Sequence, residues 1–510
     1  MSVRRRELLK AAVALAALPV AGFTHSAKDP FTLGVASGDP SPDGMVIWTR
    51  LAPNPLADDG LGGMPSRAVD VEWEVAADER FTRVERRGTT TATPQSGHTI
   101  HVELTGLRPG AEYFYRFRAH GHLSPPGRTR TAPAPRATDP LTICVASCSN
   151  YEQGFFTAYR GLAEEHPDLV VHLGDYQYEY AAGTSGNVRH HVGPETVTLA
   201  NYRQRYAQYK TDPDLQAAHA AAPWLPVFDD HELADNWADE VPGKPQPAFL
   251  DRRAAALRAY YENMPLRRAS LPRGIDMGIF RRVHWGSLAT FHMLDTRQYR
   301  DDQPCADEIS DCPERDDKAR SLLGAQQERW LLNGFRQLHA RWDLLGQQVF
   351  FAPLKTPRGF NPDAWDGYAA NRDRIVAGMR DVRNAVVLTG DVHSHWAAEV
   401  RADDTPVATE LVTTSISSGG DGSGDDDAVP ADNPHIHYHS NRRGYLRARI
   451  TADELRADFR ELPFVSRPGA PVHTGASFTV PDQGHLSGGA RSAGSPWAFA
   501  NTRPSATRGR

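Results

Sequence analysis

Four short apolar runs each end in residues that bind metals. Residues 141–146 lead to Cys148, and 169–173 lead to Asp175 with Tyr178 three places on. Residues 224–228 lead to Asp230 and His231, and 385–388 to Asp391 and His393. Read as strands of an α/β sheet, their carboxyl ends form the crevice where such folds bind ligands. The donors sort by softness. A Cys148 thiolate, a Tyr178 phenolate and the His393 imidazole suit a transition metal. A tightly held trivalent ion can remove the proton from a phenol whose pKa is ordinarily about 10. Asp230 and Asp391 are hard oxygen donors for Ca²⁺, Mg²⁺ or Mn²⁺, and Asp175, with two oxygens, can bridge a pair of ions. Two cations about 3.5–4 Å apart make the clamp used for in-line attack at phosphorus. Each motif alone has an ordinary explanation. Gly174-Asp175 also reads as a turn with a helix cap, and Cys148 as a small buried hydrophobe. Four such ends at successive strands are specific where one is not.

The elements that must position these residues follow from periodicity. Residues 31–131 read as all-β. A short apolar strand covers 45–49, residues 69–76 alternate as Val69, Val71, Trp73 and Val75, and 99–104 alternate again. A turn through Gly106, Pro109 and Gly110 then precedes Tyr113, Tyr115 and Phe117. This predicts an immunoglobulin- or fibronectin-like β-sandwich over 28–132, followed by a stiff proline- and alanine-rich linker at 131–140. After Pro140 the strands alternate with helices at 155–165, 199–209, 249–262 and 325–341, and further strands are expected at 288–294 and 344–351. That alternation predicts an α/β layered sandwich over 138–470, its sheets covered on both faces. Residues 471–510 are rich in Gly, Ser, Pro and Arg and read as a loosely packed tail. The acidic, Gly-rich stretch 419–427 reads as a mobile loop, and no internal repeat is present.

Composition narrows the function classes. Across 510 residues, 57 Lys plus Arg face 63 Asp plus Glu, a net charge of −6, so no cationic surface for nucleic acid is expected. Hydrophobic residues at 40% and charged residues at 24% are globular values, which excludes wholesale disorder. Four Cys exclude a disulfide scaffold and a Cys-rich zinc protein. Arg4, Arg5 and Arg6 precede Glu7-Leu8-Leu9-Lys10 and an apolar run over 11–23. That run is shorter than the ~20 residues of a membrane helix. The pattern is that of an export signal over 1–27, of the twin-arginine type. It predicts passage through the twin-arginine export machinery to the periplasm, the cell wall or the medium, with no transmembrane segment in the mature protein.

With these residues in view, the chain resembles the PhoD family of alkaline phosphatases, within the calcineurin-like metallophosphoesterases. The resemblance is carried by the twin-arginine start, the sandwich, Ala146-Ser147-Cys148-Ser149-Asn150, and His172-Leu173-Gly174-Asp175-Tyr176 with Tyr178. It continues through Asp229-Asp230-His231-Glu232, His292-Met293-Leu294-Asp295-Thr296-Arg297 and Gly390-Asp391-Val392-His393. Four departures from the wider superfamily are those of PhoD-like enzymes. Cys148 stands at the strand end that usually carries Asp-x-His, and Tyr178 takes the last place of Gly-Asp-x-x-Asp. Asp230 stands where Asn is usual, and Asp391 replaces the first His of Gly-His-x-His. The resemblance implies Fe³⁺ held by Cys148, Asp175, Tyr178 and His393. It implies Ca²⁺ held by Asp175, Asp230 and Asp391, with Asn236 as an addition. His231 would be catalytic, stabilising or protonating the leaving oxygen. The implied protein is a secreted alkaline phosphatase and phosphodiesterase in which metal-activated water or oxide attacks a phosphate ester. A phospholipase D-like or teichoic-acid-type phosphodiesterase on the same fold is the alternative, and an inert secreted binding protein a third.

Other residues have structural explanations. Cys144 is expected in core packing, and His172 as a satisfied core residue of its strand. Cys305 and Cys312 enclose a short loop and are expected to pair in an oxidising compartment. His435, His437 and His439 are expected in a solvated loop. Arg297, Arg300 and Arg442 each offer a fork that matches phosphate, and the sequence does not choose among them.

Overall fold

The computed structural model describes residues 28–337, 340–422 and 432–489. The export signal expected over 1–27, most of the loop at 419–427 and the end of the tail lie outside the described residues. Two mixed sheets stack face to face. The larger runs from edge to edge as Ser487–Gly488, His473–Pro481, Glu454–Leu462, Arg443–Ile450, Leu141–Ala146, Leu169–Leu173, Pro223–Val227, Val35–Ser41, Gly44–Arg50 and Thr99–Glu103. The second runs Arg281–Trp285, Ala289–Met293, Trp342–Gly346, Ala385–Thr389, Thr405–Val412, His395–Ala402 and Ile436–Ser440.

The middle of each sheet is parallel. Leu169–Leu173 lies between Leu141–Ala146 and Pro223–Val227, and Trp342–Gly346 between Ala289–Met293 and Ala385–Thr389. Strands covered on both faces become continuously apolar rather than alternating, and Leu169–Leu173 is buried throughout. Helices Thr157–Glu164 and Pro213–Ala221 pack beside the larger sheet, and Ala369–Met379 packs on the second. Ile143, Val171 and Leu225 of the larger sheet share one buried cluster with Phe291, Leu344 and Leu388 of the second.

The N-terminal β body is a sandwich, but only one of its two sheets is its own. Val84–Ala92, Val69–Ala76, Glu112–Ala119 and His122–Leu123 form that sheet, with Gly127–Arg130 paired to Glu112–Ala119. Its partner layer is the Gly44–Arg50 end of the ten-stranded sheet, where Met45 and Ile47 cluster with Val71, Val75, Tyr115 and Phe117. The junction is a parallel pair, Val35–Ser41 against Pro223–Val227, with Ser37 opposite Pro223. Sheet hydrogen bonds therefore cross the division expected near 132–138.

Three sequence-based expectations change. The tail expected from 471 enters the larger sheet, because His473–Pro481 pairs antiparallel with Glu454–Leu462. Ala476, Phe478 and Val480 are buried there at every second position, a period-two signal that the surrounding Gly and Ser obscure. The strand expected over 344–351 stops at Gly346, and 347–351 continue as a buried loop. His437 and His439 lie on the edge strand Ile436–Ser440 rather than in a loop, with His439 stacked on Trp396 at 3.8 Å between ring centroids. Cys305 and Cys312 are bonded, and Cys144 is buried and free. His172 is buried in its strand, with Nε2 2.9 Å from the Tyr159 hydroxyl but Nδ1 without a hydrogen-bond partner, so it is only half satisfied. Among the described residues no helix is long and apolar enough to cross a membrane.

Glu461 ties the added edge strands together. Tyr438 Oη donates to its Oε1 at 2.7 Å, and His473 Nε2 lies 3.5 Å from Oε2. Burial opposes the Glu461 charge, yet the contacts with His473, His395, Ser440 and Tyr438 prevail and hold its pKa down at about 2. A carboxyl with a depressed folded-state pKa stabilises the fold above its unfolded value, here 4.5, and loses that contribution as pH falls toward the folded value. Between about pH 6, above that window, and about pH 3, inside it, the urea midpoint should therefore drop less in Glu461→Gln than in the unsubstituted protein. Equal drops would refute the assignment.

Candidate metal centre

The four strand ends converge where the two sheets meet, and two glycines permit the approach. A Cβ on Gly174, whose φ is +98°, would lie 2.4 Å from the Asp229 Cβ. A Cβ on Gly390 would lie 2.9 Å from Ser147. Beyond these glycines the backbone turns through the left-handed region at residues that are not glycine. Cys148, Asp175, Asn236, Asp391 and His393 have φ of 59°, 55°, 52°, 61° and 53°. Asp, Asn and His tolerate that region better than most residues, but Cys does not. Such strain persists where the surroundings over-determine it.

Glu232 supplies part of that determination. Its carboxylate accepts the main-chain N–H of Asp175 and of Asp229, each at 2.9 Å, and that of Tyr176 at 2.7 Å. One side chain thus pins the second and third strand-end loops together. Ser418 joins the first loop to the second. Its Oγ accepts from Asn150 N–H at 3.0 Å and lies 2.9 Å from the Cys148 carbonyl and 2.7 Å from Tyr178 Oη.

Inside this frame, Cys148, Asp175 and His393 each place a ligand atom within 4.8 Å of the other two, and so do Asp175, Asp230 and His231. Asp175 belongs to both groups. Tyr178 Oη donates to Asp175 Oδ2 at 2.9 Å and lies 3.2 Å from His393 Nε2. Asp391 is not in either group. Its carbonyl oxygen faces Cys148 Sγ at 3.8 Å, and its carboxyl senses Asp229, Asp363 and Asp230. Asn236 donates its main-chain N–H to Asp230 Oδ2 at 2.9 Å, and its side-chain amide turns toward Asp307. His231 is held through Nδ1 by Glu179 Oε2 at 2.8 Å, with Nε2 4.0 Å from Asp230 Oδ2.

The charge balance is that of a site suited to cations. Burial pushes the Asp175 carboxyl well above the usual range, and Asp230 and Asp229 add to the push against the opposing effect of His231. Withdrawal from water, then Asp229, Asp363 and Asp230, do the same to Asp391. Burial and Asp175 raise the Cys148 thiol and the Tyr178 phenol. Desolvation, with Arg443 and His231 nearby, lowers His393 to about 3, so its imidazole is a neutral donor. For His231 burial is outweighed by Asp230, Glu179 and Asp175, which hold it protonated. Asp175 Oδ1 is buried and accepts no hydrogen bond, a costly state for a carboxylate oxygen. Unpaired acid oxygen beside a thiol, a phenol and a neutral imidazole fits a bound polycation.

Arg297 is the counter-charge within the protein. Nε donates to Asp229 Oδ1 at 2.6 Å, and Nη1 and Nη2 fork onto Asp363 at 2.8 and 2.9 Å. Nη2 also lies 3.5 Å from Asp230 Oδ1. Arg300 donates to the same Asp363 at 3.0 Å. Both arginines are fully buried and committed to acids, so neither is free to grip a substrate phosphate. Sequence reasoning missed Asp363, Ser418 and Glu179 as supports. They lie far from their partners along the chain or outside any motif, whereas Glu232 sits inside a motif already singled out.

Two stacked mixed sheets whose strand ends gather acids, imidazoles, a thiol and a phenol define a metallophosphoesterase-like α/β fold. The chain belongs to the PhoD-like phosphatase family: the family's model matches residues 143–459, and the model of its N-terminal domain matches 16–133. It is 48% identical over 473 residues to alkaline phosphatase D of Bacillus subtilis (strain 168), spanning 88% of this chain and 80% of that one. A solved structure of PhoD superposes with a TM-score of 0.87 at 46% identity, covering 92% of this chain and 94% of the other. Purple acid phosphatase PPD1 from yellow lupin seeds shares the fold, with a TM-score of 0.56, 12% identity, and 88% and 73% of the two chains covered. The chain is therefore a phosphoric ester hydrolase.

Replacing Arg297 leaves Asp229 and Asp230 without their arginine and Asp363 with Arg300 alone. Arg297→Ala should lower stability in urea by about 3–5 kcal/mol, the usual cost of leaving one side of a buried ion pair uncompensated. A loss below about 1 kcal/mol would show that the acids are neutralised by other means.

Proposed function

We propose that the protein is an exported alkaline phosphomonoesterase and phosphodiesterase whose reaction runs at an Fe³⁺ and Ca²⁺ pair. Cys148, Asp175, Tyr178 and His393 would hold the iron. Asp175, Asp230 and Asp391, with Asn236, would hold calcium. The observation that carries this reading is Asp175, which belongs to both donor groups and is the natural bridge between two ions. When bound, such a pair lowers the pKa of water toward neutrality and offsets the negative charge on the phosphoryl oxygens.

The protein's own residues do the rest. Glu179 anchors the His231 ring through Nδ1, leaving Nε2 toward the site. Nε2 is then the atom from which a leaving oxygen takes its proton. Glu232 and Ser418 keep the donor loops in register, and Arg297 limits the repulsion that would otherwise spread the acids apart. Export through the twin-arginine machinery, to the periplasm, wall or medium, is supported by the Cys305–Cys312 bond, which suits an oxidising compartment.

Two substitutions test the centre. Asp175→Ala should bind less of both metals and lose more activity on an aryl phosphate than the ~10–100-fold that changes outside a ligand shell cause. Tyr178→Phe should lose the visible charge-transfer band of the iron-loaded protein. Undiminished hydrolysis in the first would refute the centre, and an unchanged band in the second would refute the iron assignment. Assays on a monoester, a bis-ester and phosphatidylcholine rank the substrate classes. Export is tested separately: with Arg5 and Arg6 changed to Lys, the protein should stay in the cytoplasm on cell fractionation, and unimpaired export would refute the twin-arginine route.

A further inference from the structure

Asn236 stands between two acids. Its main-chain N–H donates to Asp230 Oδ2, and its side-chain Nδ2 donates to Asp307 Oδ2, both at 2.9 Å. An ionised carboxylate only accepts hydrogen bonds. The contact with Asp307 therefore allows one sense of the carboxamide, with nitrogen toward Asp307 and oxygen away from it. That oxygen accepts no hydrogen bond among the described residues. The carbonyl of Asn236 is held as well, by Gln303 Nε2 at 2.9 Å, and the same Nε2 reaches Asp363 Oδ1 at 2.7 Å.

Asp307 is exposed and ends a short 3-10 turn, Cys305–Asp307. It is the last of three successive residues in the left-handed region, Cys305, Ala306 and Asp307, with φ of 60°, 55° and 58°. Each costs roughly 1–2 kcal/mol for an L residue, so the loop needs an external closure. The bond between Cys305 and Cys312, seven residues apart, provides it. Beyond Asp307, Ser310 and Phe360 exchange main-chain hydrogen bonds at 3.2 and 3.0 Å and anchor the loop to its neighbour.

We propose that Asp307, kept in place by the Cys305–Cys312 bond, is a positioning residue for the divalent cation: it fixes the Asn236 carboxamide with its oxygen available to that cation, and opening the disulfide releases it. The inference rests on the reading of Asp175, Asp230, Asp391 and Asn236 as the calcium site. Opening proceeds by thiol–disulfide exchange with an external dithiol. The Cys305–Cys312 bond breaks to two thiols while the dithiol closes to a disulfide.

Calcium affinity of the full exported protein, stripped with a chelator, is read by isothermal titration calorimetry, with bound iron counted in parallel. Asp307→Ala and the pair Cys305→Ser with Cys312→Ser should each bind calcium about ten-fold more weakly or worse, with iron content unchanged. Asp307→Asn, which keeps an acceptor for the Asn236 amide, should lose less, and dithiothreitol on the unsubstituted protein should reproduce the serine pair. Unchanged affinity in folded Asp307→Ala overturns the positioning role, and unchanged affinity in the serine pair overturns the part given to the disulfide. If the serine pair does not accumulate, dithiothreitol on the unsubstituted protein decides that part. Asp230→Asn separates the two levels: if it too binds calcium normally, the calcium site itself has been misassigned.

Discussion

Like charges gathered out of water are the constraint around which this protein is built. Asp175, Asp229, Asp230 and Asp363 are buried within one neighbourhood, and Asp391 borders them. Two unit charges about 4 Å apart repel by about 4 kcal/mol at the effective dielectric of a protein near its surface. Against this the chain itself sets a few cations, chiefly the fork of Arg297 and the protonated ring of His231. The remaining imbalance is met by proton uptake or by metal. A site that is electrostatically incomplete without cations will select for them whenever they are present, and it needs rigid walls so that the acids do not simply move apart.

Those walls explain the unusual backbone. Five candidate site residues adopt left-handed conformations, and each is held by contacts from another segment. Glu232 pins the second and third strand-end loops, Ser418 ties the first to the second, and Gly174 and Gly390 permit approaches that a Cβ would block. Asp175 is shared by the group with Cys148 and His393 and the group with Asp230 and His231.

Much of this was legible in the sequence, and the reasons are local. Apolar runs followed by donors marked the strand ends, because parallel strands buried on both faces leave a run that needs no alternation to be seen. Cys148, Asp175, Tyr178, Asp230 and His393 do converge, and His231 stands beside them. What stayed hidden depends on tertiary context. Val35–Ser41, with Ser37, Gly38, Asp39 and Pro40, is not among the strands expected from the sequence, yet it pairs as a nearly buried strand because Pro223–Val227 presents an open edge. Arg297 looked like a phosphate grip until Asp363, 66 residues away, proved to be its partner. His473–Pro481 looked like tail because glycine and serine dilute its alternation.

The continuous ten-stranded sheet has a consequence for how the molecule behaves as material. A conventional two-domain enzyme hinges at its linker, but here the main-chain ladder between Val35–Ser41 and Pro223–Val227 bypasses the linker at 131–140. A nick in that linker would leave two fragments still stitched along a shared edge. The N-terminal body is accordingly a splint on the catalytic sheet, and it cannot be exchanged for another module without baring the backbone of the strand that shapes the Asp229 and Asp230 corner.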